Sequence, residues 1–369
     1  MFLISSIVKM VASPIFRLVA SVITIIIYLV TVLSCYGGLI PPTWSAWGSV
    51  LTIGMPVMLT LSAVACVVWF VRGHWFMGGL GVLMFLLCIN PIKMWFPMNG
   101  TQKQSPGTRT FTLLQWNILH GDDLGRPDYA GSRTMEEILR VDADIVCLQE
   151  CTGFTQKSLR KYSKATVDSV LARYPYQLGE GSYDLRILSK YPLRHIYFGS
   201  VFNYRLADYV AVTLPGGTQV AVADIHLPSF ALNEEEKGIF SKRGTAARKE
   251  DMAHRIVGKL KHAIPLRATA AEKVRDGFKE LAMPLIIVGD FNDVPASWTY
   301  RVFTRAGFRD AYCETNFLPT YTFYPNLFYF HLDQIFYRGD IAPLSVKRLD
   351  IRTSDHLPLL STFEYHPRR

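Results

Sequence analysis

Leu285-Ile286-Ile287-Val288-Gly289-Asp290-Phe291-Asn292-Asp293 is an aliphatic run that breaks, at one glycine, into polar residues set around a phenylalanine. Four consecutive aliphatic side chains bounded by glycine have the length and composition of a strand buried on both faces. Carboxylates and amides at the tip of such a strand cost free energy unless they are paired or hold an ion. The stretch therefore reads as a buried strand with chemistry at its end. Taken alone, it also reads as a turn held by Asx hydrogen bonds.

Working outward, the same pattern recurs. Asn117 follows Leu113-Leu114-Gln115-Trp116, Glu150 closes Ile145-Val146-Cys147-Leu148-Gln149, and His226 follows Val222-Ala223-Asp224-Ile225. Asp333 lies in His331-Leu332-Asp333-Gln334, and Asp355-His356 in Ser354-Asp355-His356-Leu357-Pro358. Strands are expected at 111–116, 144–148, 185–188, 209–214, 219–225, 285–288, 332–337 and 359–363, and helices at 133–140, 249–263 and 270–281. Many strands with helices between them predict an α+β sandwich, two sheets face to face with helices outside. A magnesium-type cation takes a few oxygen ligands of the kind these strand ends offer, and the histidines suit proton transfer near neutral pH. Each residue alone also has a plainer reading, a solvated edge or a structural histidine.

The charges divide the chain. It carries 39 Lys and Arg against 30 Asp and Glu, a net charge of +9, yet the first carboxylate is Asp122. Only Lys9, Arg17, Arg72, Lys93, Lys103 and Arg109 precede it, so the rest is nearly balanced and shows no broad basic surface for nucleic acid. Residues 18–40 and 48–71 contain no charge, and at about 1.5 Å per residue each is long enough to cross a bilayer core of roughly 30 Å. A third segment, 75–92, is shorter and interrupted by Asn90 and Pro91. Val32-Leu33-Ser34-Cys35 faintly resembles a cleavage box, but the apolar core begins late and two further apolar segments follow, so an anchor is expected rather than a cleaved signal. Three spans with Lys9, Arg17 and Arg72 inside place the C-terminal part on the non-cytoplasmic side, although Lys93, Lys103 and Arg109 pull the other way. The expected organisation is a transmembrane region over 1–98, a Gln-, Ser-, Pro- and Gly-containing linker over 99–110, and a catalytic domain over 111–369. Among the six cysteines only Cys151 and Cys313 are candidates for a bridge, and idle thiols are the expectation.

The ordered signatures Trp116-Asn117, Leu148-Gln149-Glu150, Ile187-Leu188-Ser189-Lys190-Tyr191-Pro192-Leu193, Ile225-His226-Leu227, Gly289-Asp290-Phe291-Asn292, Leu332-Asp333-Gln334-Ile335-Phe336 and Ser354-Asp355-His356 resemble those of the endonuclease/exonuclease/phosphatase superfamily, over about 111–365. That superfamily includes deoxyribonuclease I, abasic-site endonucleases, neutral sphingomyelinases and inositol polyphosphate 5-phosphatases. The resemblance implies a four-layered αββα sandwich and a metal-dependent phosphoesterase using Mg2+, with Mn2+ as the alternative. It implies Glu150 as principal metal ligand beside Asn117 and Asp355. Asp290 and Asn292 then orient the attacking water and hold phosphate and metal, Asp333 fixes the ring of His356, and His226 donates a proton to the leaving oxygen or binds phosphate.

Two departures stand out. Where relatives usually carry a small residue, Asp184-Leu185-Arg186 offers a guanidinium to substrate phosphate, or else an exposed arginine on an edge strand. The long stretch around 233–249 is a substrate-covering loop or, more simply, a solvated helix with its linkers. The aromatics Tyr321, Phe323, Tyr324, Phe328, Tyr329 and Phe330 serve stacking, lipid contact or core packing. The expected activity is that of a multi-pass membrane phosphodiesterase acting on a phosphate ester such as a lipid head group. The alternatives are a tethered nuclease for DNA or RNA and a non-catalytic membrane scaffold. No protein partner can be read from the sequence.

Overall fold

The computed structural model describes residues 14–121, 132–151, 164–178, 184–201, 204–230, 246–279, 281–325 and 329–368. Most of the 233–249 stretch and Phe328 lie outside the described residues. The chain divides into two compact units after Trp95.

The first unit is helical: α1 Pro14–Tyr36, α2 Trp47–Ile53, α3 Met55–Val71, α4 Trp75–Leu87 and α5 Ile89–Trp95. Among the described residues only Pro14–Leu39 is by itself long and apolar enough to cross a membrane. The expected continuous helices over 48–71 and 75–92 are instead each broken, α2 from α3 by 61° and α4 from α5 by 66°, and each counts as a span only if the bent pair is one. Proline explains both breaks, because Pro56 and Pro91 have no N–H to give the carbonyls of Thr52 and Leu87. The Leu87 carbonyl instead accepts the Tyr36 hydroxyl at 2.5 Å. Polar side chains pair inside the unit, Trp69 Nε1 donating to Thr24 Oγ1 at 2.9 Å and Thr31 bonding Ser62 at 2.7 Å. Large aliphatic residues such as Ile15, Leu18, Val57 and Leu86 stay exposed, as they do in helices whose solvent is lipid.

The second unit is the expected αββα sandwich. Its strands are β1 Arg109–Asn117, β2 Ile145–Gln149, β3 Tyr176–Leu178, β4 Arg186–Ser189, β5 Leu193–Val201, β6 Tyr204–Thr213, β7 Gln219–His226, β8 Leu285–Asp290, β9 Arg309–Asp310, β10 Asp333–Arg338, β11 Ile341–Arg348 and β12 Leu359–Tyr365. One sheet has the order β11-β12-β1-β2-β4-β3 and the other β5-β6-β7-β8-β10-β9. Between them run α6 Ser132–Val141, α7 Lys164–Arg173, α8 Ala246–Gly277, α9 Trp298–Arg305 and α10 Ala311–Thr315. The two helices expected at 249–263 and 270–281 are one, α8, continuing through Pro265. Its buried face of Ala263, Ile264, Arg267, Ala268, Ala271 and Val274 spans the proline, so packing outweighs one missing hydrogen bond.

Strand alternation separates three layers of contact. Leu113, Ile145, Cys147, Ile187, Val222, Ile286, Val288 and Ile335 fill the space between the sheets. The alternate residues Leu114, Trp116, Val146, Leu148 and Leu188 pack outward with Met135 and Ile138 of α6 and Val167 and Val170 of α7. On the other sheet, Tyr209 stacks edge-on against Phe278, just past α8, at 4.7 Å. Stretch 99–110, expected as a linker, is bonded to this unit: Asn99 N–H donates to the Asn316 carbonyl, Gln102 N–H to the Leu344 carbonyl, and Ser105 N–H to Glu364. No disulfide joins any of the six cysteines, and five of them are buried.

Each sheet contains one parallel pair, β1 with β2 and β7 with β8, and their C-terminal ends carry Asn117 opposite Gln149 and His226 opposite Asp290. β10 enters antiparallel, setting Asp333 opposite Asp290. The polar residues singled out in the sequence thus collect at one edge of the sandwich.

Candidate active site

Inward-facing positions on these strands change from apolar to polar at this edge: Leu113 then Gln115 and Asn117, Cys147 then Gln149, Val222 then Asp224 and His226, Val288 then Asp290. The period of two carries the core pattern straight into the site. Glu150 follows β2 with φ +51°, and Asn292 follows Asp290 with φ +50°. Both are left-handed conformations that a non-glycine residue adopts at a cost, and they turn the backbone at the strand tips.

Asp290 is the focus. Its Oδ2 accepts from Asn117 Nδ2 at 3.1 Å and lies 3.8 Å from His226 Nε2 and 3.6 Å from His356 Nε2. Its Oδ1 accepts the Asn292 N–H at 2.8 Å, while Asn292 Nδ2 donates to the Leu227 carbonyl. Asn117 Nδ2 also reaches Glu150 Oε1 at 3.0 Å, and His226 Nε2 lies 3.9 Å from that oxygen.

Each imidazole has a carboxylate behind it. His356 Nδ1 bonds Asp333 Oδ2 at 2.7 Å, as the resemblance implied. His226 Nδ1 bonds Asp184 Oδ2. Asp184 was visible in the sequence only as part of a departure, and its role as the partner of His226 was missed. His120, beside Glu150 at 3.5 Å, was missed as well; its only signal is a position three residues beyond Asn117.

Burial alone lowers the pKa of both histidines, but their carboxylates outweigh it. His226 is raised to about 9 by Asp184, Asp290 and Glu150, and His356 to about 10 by Asp333 and Asp290. Burial raises Asp290 to about 6 against the pull of His356. A buried amide ladder steadies Asp333: Gln115 Nε2 donates to Asp333 Oδ1 at 2.6 Å and to Gln149 Oε1 at 2.8 Å, and Gln149 Nε2 donates to Asp224 Oδ1 at 2.5 Å. Burial raises the Asp224 carboxyl well above the carboxylate range.

All three raised groups bind protons more tightly when folded. The histidine contributions are complete below the ordinary 6.5 and are lost as pH rises through about 9 and about 10, and that of Asp290 is lost through about 6. The metal-free protein is therefore expected to lose thermal stability steadily from pH 6 to 10, and His356→Gln is expected to flatten the upper part of that decline. Melting temperatures in chelator across this range test it, and a flat wild-type profile would contradict it.

Asp355 adjoins His356 and adds to its raised pKa, and its backbone carbonyl accepts the Tyr324 N–H. Arg186 shares the helix-covered face of β4 with Leu188, is 6% exposed, and donates to Gln177 at 2.9 Å, so it is not an exposed edge-strand residue.

Residues 114–356 match the model of the Endonuclease/Exonuclease/phosphatase family. The chain belongs to that family. Members of the endonuclease/exonuclease/phosphatase family are divalent-metal-dependent hydrolases of phosphoester bonds, and this chain is a hydrolase of that class. Residues 16–95 match a domain model of unknown function. The comparison with curated proteins returns no match. Among solved structures, an endonuclease/exonuclease/phosphatase from Bacteroides vulgatus is 18% identical with a TM-score of 0.47, covering 70% of this chain and 99% of its own. The human Nocturnin catalytic domain with bound sulfate is 17% identical with a TM-score of 0.44, covering 69% and 97%. A beta toxin variant from Staphylococcus aureus with bound magnesium ions is 15% identical with a TM-score of 0.44, covering 69% and 99%.

The donor chemistry here fits the family's metal. Glu150 offers hard oxygens, and its side chain, 22% exposed, leaves room for the water a small divalent cation keeps; Asn117 faces it with the amide nitrogen, while its Oδ1 accepts the Leu119 N–H at 3.1 Å. Asp290, Asp333 and His356 also group closely, but both Asp333 oxygens are already engaged, by Gln115 and by His356.

Proposed function

We propose that this protein is a membrane-anchored phosphodiesterase that hydrolyses a phosphodiester of a lipid head group by attack of water on phosphorus. The convergence of His226 Nε2 and His356 Nε2 on Asp290 Oδ2 supports the reaction, because it sets two cationic donors around one carboxylate acceptor.

In this reading Asp290 accepts the proton of the attacking water and Asn292 fixes the backbone turn that aims it. His356, held in one tautomer by Asp333, donates to a phosphate oxygen on which charge develops. His226, held by Asp184, gives its proton to the departing oxygen. Glu150, Asn117 and Asp355 would hold Mg2+ or Mn2+, which when bound would supply neutralisation of charge on the phosphate oxygens. The buried ladder from Asp224 through Gln149 and Gln115 keeps Asp333 from rotating away from its imidazole.

The apolar N-terminal unit supports anchoring, with one span at Pro14–Leu39 and three if the bent pairs cross, the catalytic unit then lying on the non-cytoplasmic side. The near balance of charge beyond residue 121 favours a lipid over nucleic acid, which draws on broad positive surface. The full chain in detergent, assayed with magnesium or manganese against phospholipids, sphingomyelin, plasmid DNA and RNA, is expected to cleave a lipid and to lose that activity in chelator. Cleavage of nucleic acid alone would replace the lipid reading by that of a tethered nuclease.

A further inference from the structure

At the far end of β10 from Asp333, a cavity of about 450 Å³ opens between the end of α8, α9 and the strand terminus. Arg275, Lys279, Arg305 and Arg338 line it, with Val302 and Phe308 supplying apolar wall. No carboxylate is among its described lining residues. Asp333 and Arg338 are the two ends of one strand, so at about 3.3 Å per residue the cavity is roughly 17 Å from the hydrolytic cluster.

Arg338, Arg275 and Lys279 each have partners that hold them. Arg338 Nη2 donates to the carbonyls of Phe278 at 2.8 Å and Leu281 at 3.3 Å, and its guanidinium lies 4.8 Å from the Phe308 ring centre. Asp276, on the same helical end, bonds Arg275 at 2.9 Å and Lys279 at 2.8 Å and so fixes both beside the opening. Among the described residues Arg338 has no carboxylate partner, and burial pulls its pKa below the usual arginine value. A half-buried guanidinium without an anion is a standing cost that an anion arriving in the cavity removes. Arginines also present fork-shaped donors matched to phosphate oxygens.

We propose that this cavity is a second ligand site, separate from the hydrolytic cluster, that binds a small anion carrying two or three linked phosphate groups. Its volume falls within the range of about 300–1,000 Å³ usual for small-molecule sites, larger than a lone phosphate needs. Basic groups contributed by three different elements suit several phosphates rather than one. Phe308 and Val302 leave space for an apolar or planar portion of the same ligand.

Titration calorimetry on the full chain in detergent and chelator, with inorganic tripolyphosphate as the probe, tests this. Saturable binding is expected, weakened at least about tenfold by the pair Arg275→Gln and Arg305→Gln, whose positions are not used in hydrolysis. Arg338→Lys, which keeps the charge and loses the fork, is expected to weaken binding less. Asp290→Asn and the remote charge control Arg255→Gln are expected to bind as the wild type does. The proposal fails if binding is not saturable, if the double variant binds normally, if Arg255→Gln weakens binding equally, or if Asp290→Asn abolishes it. Because the readout is binding without turnover, its outcome is independent of the substrate assay.

Discussion

Asp290→Asn is expected to lower kcat/KM by about a thousandfold while leaving the protein folded, a size set by removal of a general base together with the charge that orients two donors. The amide has the same shape, so Asn292 N–H and Asn117 Nδ2, now bonded to the carboxylate, compete for one remaining carbonyl oxygen. The loss is electrostatic as well as chemical, because Asp290 helps raise the pKa of both His226 and His356. Without it, burial gains ground and both imidazoles lose their protons at lower pH. Steady-state kinetics across pH should show a depressed rate with its alkaline limb moved to lower pH, and thermal unfolding should show a melting temperature within a few degrees of wild type. A variant that kept about a tenth of the rate would remove Asp290 from the chemistry.

Gly289→Ala is expected to prevent stable folding, at a cost of about 4 kcal/mol or more. Gly289 has φ +142°, and a Cβ there would stand 1.9 Å from the Ile225 carbonyl oxygen. That oxygen is backbone in the neighbouring strand, so relief requires parting β7 from β8 beside the His226–Asp290 pair. Gly307 is the control. Its φ is +84°, but nothing lies within 4 Å of the added methyl, so alanine there should cost only about 1 kcal/mol. Denaturant or thermal unfolding of the two variants compares them, and an alanine at 289 as mild as one at 307 would contradict the close approach.

Eight expected strands were found close to their expected bounds because apolar alternation is a local property, visible wherever one face meets a core. β11 escaped because Pro343 interrupts it, and the register with β12 shifts between Pro343 and Ser345 on an edge strand. β5 escaped because Arg194, His195 and Gly199 blur its alternation. Pro265 read as a breaker because the apolar face that carries α8 through it is recognisable only once packed. Of the site, the pairing of His356 with Asp333 was legible from ordered motifs, whereas Asp184 was not assigned to His226. Asp184 precedes β4 of one sheet and His226 ends β7 of the other, 42 positions apart, and no periodicity links them. The burial of Arg186 was hidden for a related reason: only the strand's phase shows that it points with Leu188 toward the helices.

The left-handed backbone of Glu150 and Asn292 has a consequence for how the protein evolves. Glycine would occupy either conformation without the penalty borne by a side chain with a Cβ, so the sequence most comfortable at these turns lacks the two groups that stand beside Asp290. Selection for catalysis and selection for robustness therefore oppose each other at both positions. Lineages released from the need to hydrolyse should drift toward glycine there first, leaving an intact sandwich whose lost activity is written in two residues.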